Sequence, residues 1–213
     1  MSAAEEAPAF RPGRIPHIGE LGTGTTIGGG PCEGACFNTA AANAVGSSNT
    51  FGYWFVLGPE PNYTTIAEAK SWGESQGNAA VKAWYDNIYV ARQTIFADIE
   101  GTAGTNGWSS NTLLNQAVWE GWFSAVNNAD NGVLKAGVYS APDAWASIMG
   151  SSYNLNGTTP EWSYEPQIGC AASCPTPTSY EAQGFGGESP GIWQYAQNCG
   201  TYGDLDCSDN LPS

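Results

Sequence analysis

The chain is short of positive charge. Lys and Arg together number 6 in 213 residues against 20 Asp and Glu, and with one His, His17, the formal net charge is −14. Nucleic acid needs a basic surface, so nucleic-acid binding is excluded as the main function. Anionic membrane surfaces are excluded on the same ground. An anionic polymer would gain no long-range attraction, so any wall or glycan substrate must be held by local contacts. No apolar run approaches the ~18 residues of a membrane span. The opening Met1-Ser2-Ala3-Ala4-Glu5-Glu6 is acidic and has no apolar core, so it does not read as a signal peptide, and the expectation is a mature secreted chain behind a start Met. The Gly/Thr stretch from Gly22 to Gly30 lacks both the Gly-Lys-Ser/Thr ending and the Gly-x-Gly-x-x-Gly spacing of phosphate loops, which excludes nucleotide binding. No cofactor or resident metal is expected. His17 reads as a structural or surface residue.

Aromatics and glycine are abundant, with 9 Trp, 10 Tyr and 28 Gly, while charged residues make up only 12%. Many aromatics and few cations suit a neutral carbohydrate, whose rings pack on aromatic faces and whose hydroxyls bond carboxylates and amides. Most of the Trp residues, Trp84, Trp122 and Trp145 among them, still read as core. The length supports one core. The expected organisation is a flexible arm over residues 1–13 and a single domain over residues 14–213, acting as a monomer. Six Cys fall as close pairs, Cys32 with Cys36, Cys170 with Cys174, and Cys199 with Cys207. The spacing suits local disulfides, and so an oxidising compartment. Zinc at the two Cys-x-x-x-Cys pairs is the weaker alternative, because no His lies nearby. Asn62-Tyr63-Thr64 and Asn156-Gly157-Thr158 fit the glycosylation sequon, a weak signal.

The segment Thr94-Ile95-Phe96-Ala97-Asp98-Ile99-Glu100-Gly101 reads as a buried strand ending in two carboxylates. Alternation puts Ile95, Ala97 and Ile99 on one face and Phe96, Asp98 and Glu100 on the other. The two carboxylates then stand roughly 6–7 Å apart along the strand. Like charges that close raise at least one pKa, which suits a general acid beside a charge-stabilising carboxylate. Solvated charges at a strand end are the plain alternative.

Further strands are expected near 15–21, 51–58, 133–139, 161–165, 191–196 and 203–206. Helices are expected at 39–45, 65–76 (stopped by Gly77), 78–87, from a Ser109 or Ser110 cap to Asn131-Gly132, and from a Ser140 cap to Gly150. Strand and helix alternating without internal repeat means parallel βα units with right-handed crossovers. The fold class is therefore α/β, a (β/α) TIM-type barrel, small or irregular at its N-terminal strand. In such barrels the site lies at the C-terminal strand ends, where Asp98, Glu100, Tyr139, Glu165, Gln194 and Asp206 would project.

The order of Phe96-Ala97-Asp98-Ile99-Glu100, Ala136-Gly137-Val138-Tyr139-Ser140 ahead of Trp145, Trp162 to Glu165, Trp193-Gln194-Tyr195 and Asp204-Leu205-Asp206 resembles glycoside hydrolase family 25, the lysozyme-like muramidases. Tyr53-Trp54-Phe55 and the helix after it resemble that family's third strand and following helix. The resemblance covers roughly residues 51–210. It implies a barrel that cleaves the β-1,4 bond after N-acetylmuramic acid, with a cell-wall polysaccharide as partner. By position it implies Glu100 as general acid, Asp98 as the substrate-steering carboxylate and Asp206 completing an acidic floor. Tyr139, Trp193 and Gln194 would line the cleft, with Tyr53 and Glu165 beside them. The family carries an Asp at the end of its first strand, whereas no Asp precedes Asp86 here. Glu20 is a carboxylate that could sit at a neighbouring strand end. That departure supports a second expectation, an inactive glycan-binding or structural domain on the same fold. A third treats Asp204, Asp206 and Asp209 as a cation site.

Overall fold

A computed structural model describes residues 17–23, 50–86, 92–164, 184–197, 199 and 204–208. Among the described residues seven strands form one sheet in chain order: β1 (His17–Thr23), β2 (Thr50–Phe55), β3 (Thr94–Asp98), β4 (Lys135–Ser140), β5 (Glu161–Tyr164), β6 (Ile192–Ala196) and β7 (Leu205–Cys207). The first six run parallel; β7 returns antiparallel to β6. That reversal corrects the expectation of an unbroken parallel series. Only residues 197–204 join the last two strands, and a parallel crossover needs a dozen residues or more.

Helix α1 (Ile66–Asp86) follows β2, α2 (Thr112–Asn128) follows β3, and α3 (Pro142–Met149) follows β4. The strand alternation read from the sequence sorts the core into two parts. Ile95, Ala97, Ile99, Ala136 and Val138 face outward and pack with Trp54, Trp122 and Trp145 against the helices. Phe51, Phe96, Tyr139, Trp162 and Ile192 face inward and form a second cluster, with Ile18, Tyr53 and Tyr164 against it. Side chains from β1 and β6 can share a cluster only if the sheet curls, and the result is a half-barrel of the (β/α) barrel kind. Gly137 sits where a β-carbon would come 2.7 Å from the Phe96 ring, so a bare backbone on β4 makes room for an aromatic on β3.

Helix α1 is continuous through Gly77, where the sequence suggested a stop. The glycines serve close packing instead. A β-carbon on Gly73 would lie 1.9 Å from Val118 O, and one on Gly121 2.1 Å from Lys70 O, so α1 and α2 approach backbone to backbone. Ile66 and Tyr85, near the two ends of α1, are exposed. Thr65 and Glu68 cap the start of α1 reciprocally, Thr65 N–H donating to Glu68 Oε2 at 3.1 Å and Glu68 N–H to Thr65 Oγ1 at 3.3 Å. The cap of α2 is Asn111 rather than either serine; its Oδ1 accepts from Leu113 N–H at 3.2 Å. Ser140 does not cap α3, because its hydroxyl donates to Ile99 O at 2.8 Å. The arm over 1–13, the expected helix at 39–45, and Cys32, Cys36, Cys170 and Cys174 lie outside the described residues. Cys199 and Cys207 share a buried cluster with Trp193 and Tyr195, and neither is a free thiol.

Candidate active site

The upper layer of the concave face is polar where the lower layer is aromatic. β3 delivers Asp98 at its last position and Glu100 just beyond. Gly101 then turns the chain away at φ +95°, a conformation that favours glycine. Backbone pairing sets Asp98 opposite Tyr139 on β4, Tyr164 opposite Gln194 on β6, and Gln194 opposite Asp206 on β7. On the other side, Glu20 of β1 pairs with Tyr53 of β2.

Asp98 is buried, and its Oδ1 has no hydrogen-bond partner. Burial, then the charges of Glu100 and Glu20, hold its carboxyl well above the ordinary range. Glu100 is half-buried and also raised, by burial and by Asp204, while a contact with the Tyr139 hydroxyl opposes the rise. Asp206 is pushed up to about 8 by burial, against the Trp162 indole N–H that donates to its Oδ1 at 2.9 Å. Glu20 is raised by burial, with the Tyr53 hydroxyl bonded to it working the other way. Four carboxyls thus face one concavity, and burial raises each of them above its ordinary range. Burial and the surrounding negative charge also hold the Tyr53 and Tyr139 hydroxyls firmly protonated.

Aromatic rings form the base. The Tyr139 and Trp162 ring centres are 4.2 Å apart, Phe96 and Trp162 5.7 Å, and Tyr53 and Trp162 6.1 Å. Above them Tyr139 donates to Gln194 Oε1 at 2.6 Å, and Gln194 Nε2 donates to Asp204 Oδ2 at 3.2 Å.

Of the residues singled out in the sequence, Asp98, Glu100, Asp206, Tyr53, Tyr139 and Gln194 come together here. Glu165 lies outside the described residues. Trp193 is a correction: it packs on the opposite side of the sheet with Tyr195 and Cys207. Adjacent strand residues face opposite ways, so Gln194 in the concavity sends Trp193 out of it. The strand expected near 15–21 is present as β1, and it carries Glu20. Trp162 and Asp204 belong to the site as well. Trp162 had a legible signal, two residues before Tyr164 and opposite Tyr139, whereas Asp204 depends on the β6–β7 reversal. Asp209 lies outside the described residues, and among the described residues no group of three or more His, Cys, Asp or Glu is placed to hold a metal ion.

Among solved structures the chain is similar to the family GH25 lysozyme from Aspergillus fumigatus, at 17% identity and TM-score 0.56 over 92% of this chain and 82% of that one. It is similar to the muramidase from Trichobolus zukalii, at 16% identity and TM-score 0.53 over 91% and 82%. It is also similar to the muramidase from Acremonium alcalophilum, at 15% identity and TM-score 0.50 over 91% and 81%. Likeness at these identities establishes a shared fold. No protein-family profile and no curated protein sequence matches the chain.

Proposed function

We propose that the chain is a glycoside hydrolase cleaving β-1,4 bonds in peptidoglycan or a related N-acetylated amino-sugar polymer. Glu100 is the general acid, and Asp98 and Asp206 assist it. The observation that carries this reading is the emergence of Asp98 and Glu100 from one strand end onto an aromatic-based concavity, where burial raises both carboxyls. Protonated Glu100 gives its proton to the glycosidic oxygen as the bond to the anomeric carbon breaks. The positive charge that develops on the sugar is met by neighbouring carboxylate, and water supplies the hydroxyl of the new reducing end. Tyr139, Tyr53 and Gln194 bound the space for the sugar. That three proteins of this fold are named lysozymes or muramidases supports the substrate class. The inactive-domain reading rests on the missing Asp of the family's first strand; Glu20 on β1, beside Tyr53, is a carboxylate that can take that place in our reading. We propose further that the protein is secreted and monomeric, and that Cys199 and Cys207 are joined.

Release of reducing sugar from purified peptidoglycan and from chitin tests the proposal, with wild type beside Glu100→Gln. Turnover in wild type, lost by at least ~100-fold in the variant, is the expected result for loss of a general acid. A folded wild type that releases nothing from either polymer refutes it.

A further inference from the structure

The ladder between β2 and β3 breaks off beside Glu100, and a loop takes its place. Phe55 lies opposite Asp98, and Val56 N–H donates to Asp98 O at 2.9 Å. In a parallel pair such bonds recur every second residue, so the next would run from Gly58 N–H to Glu100 O. Gly58 N–H donates instead to Asn106 O at 2.9 Å. Glu100 O accepts from Asn106 Nδ2 at 3.1 Å and from Trp108 Nε1 at 3.0 Å. A carbonyl oxygen only accepts, so the Asn106 atom facing it is the amide nitrogen. Asn106 thus stands between the two strand ends, its own carbonyl serving the β2 side and its side-chain amide the β3 side.

The loop is shaped for that place. Asn106 has φ +53°, a left-handed conformation that Asn tolerates better than most side chains. A β-carbon on Gly58 would lie 2.3 Å from Gly107 O, so the chain leaving β2 admits the loop only because it is bare there. The Trp108 ring is fully buried, which leaves its N–H one fixed direction. The residue before Glu100 is anchored too. Ile99 N–H donates to Tyr139 O at 2.9 Å, and Ile99 O accepts from the Ser140 hydroxyl at 2.8 Å. Peptide units are planar, so the anchored carbonyls of Ile99 and Glu100 fix the planes on both sides of the Glu100 α-carbon. The direction in which the Glu100 side chain leaves the backbone is then set as well.

We infer that Asn106, assisted by Trp108, is a positioning residue for the general acid: by holding the Glu100 carbonyl it aims the Glu100 side chain into the concavity. This role deepens the glycosidase reading and rests on Glu100 being the acid of that reaction.

Wild type, Asn106→Gly and Trp108→Phe are compared as whole chains. Glycine keeps the left-handed backbone and the carbonyl that Gly58 uses, and removes only the donor to Glu100. Phenylalanine keeps a buried ring and removes the indole N–H. On solubilised peptidoglycan, well below each Tm, kcat should fall on the order of 10- to 100-fold in Asn106→Gly while KM stays within about twofold, as for a reacting group misplaced by about 1 Å. Trp108→Phe should lower kcat in the same way. A contact that only stabilises the fold would lower Tm and leave kcat as in wild type. That result, or a loss carried by KM alone, overturns the inference. If Asn106→Gly does not fold, Trp108→Phe decides by the same split. A wild type that cleaves no glycan sinks the glycosidase reading, and a carboxyl-carbon NMR titration then decides the positioning without turnover. The Glu100 resonance, identified by its loss in Glu100→Gln, has a midpoint raised by burial. In Asn106→Gly that midpoint should drop toward ~4.3 as the carboxyl leaves the concavity. An unmoved midpoint overturns the inference.

Discussion

Acid should stabilise this fold and alkali should loosen it, through Asp206. Its carboxyl is pushed up to about 8 in the folded state by burial, whereas an unfolded Asp titrates at ~3.9. A carboxyl raised on folding binds its proton more tightly when folded. Its contribution is therefore full below the unfolded midpoint and is lost as pH rises through about 8. Between those limits one such group changes stability by about 1.4 kcal/mol per pH unit, so going from ~pH 5 to ~pH 8 costs at most about 4 kcal/mol. The Trp162 N–H on Oδ1 steadies the ionised form, and the value of about 8 already includes its effect. For a chain of this size 1 kcal/mol moves Tm by roughly 2–4 °C, so the expected fall is on the order of 5–15 °C. Thermal unfolding followed by circular dichroism across this range measures it. Asp206→Asn keeps an oxygen for Trp162 and cannot ionise, so its Tm should vary less with pH and should exceed wild type above about 8. A wild-type Tm that is flat or rising from ~pH 5 to ~pH 8, or an equal slope in the variant, would show that Asp206 ionises as it does in water. Glu161, buried on the outer face of β5 and also pushed up to about 8 by burial, should add to the same trend, and Glu161→Gln should reduce it.

Gly73→Ala places a methyl 1.9 Å from Val118 O. It should destabilise by about 2–3 kcal/mol in denaturant unfolding despite alanine's helix propensity, and equal or greater stability would mean that α1 and α2 do not pack backbone to backbone. Trp193→Leu should cost about 2–3 kcal/mol of stability through lost packing on the outer face and leave KM for glycan unchanged; a several-fold rise in KM would return Trp193 to the cleft.

The period-two pattern of residues 94–100 was enough to divide β3 between helix-facing Ile95, Ala97 and Ile99 and inward Phe96, Asp98 and Glu100, because strand geometry leaves no other choice. The alternation of strand and helix likewise carried the parallel half-barrel, and with it the end of the sheet at which polar residues gather. Those are local and topological rules, and they act on any chain with this pattern. Three features needed the folded molecule. Gly77 signals a helix stop by propensity, yet it lies inside α1, because the closeness of α2 rewards a missing side chain; propensity does not see a neighbour. Trp193 looked like a sugar platform until the β6–β7 pairing assigned Gln194 to the concavity and Trp193 to its back, a choice of register that composition leaves open. The pairing of β1 with β2 brought Glu20 to Tyr53, and the reversal of β7 brought Asp204 to Gln194. Glu20 and Tyr53 meet through strand pairing, and Gln194 and Asp204 through the reversal of β7, which propensity along the chain does not set. The sequence by itself determined which face of each strand is polar; the tertiary structure decided which carboxyls share that face and which hydroxyls they meet, because strand pairing brings together residues the chain keeps apart.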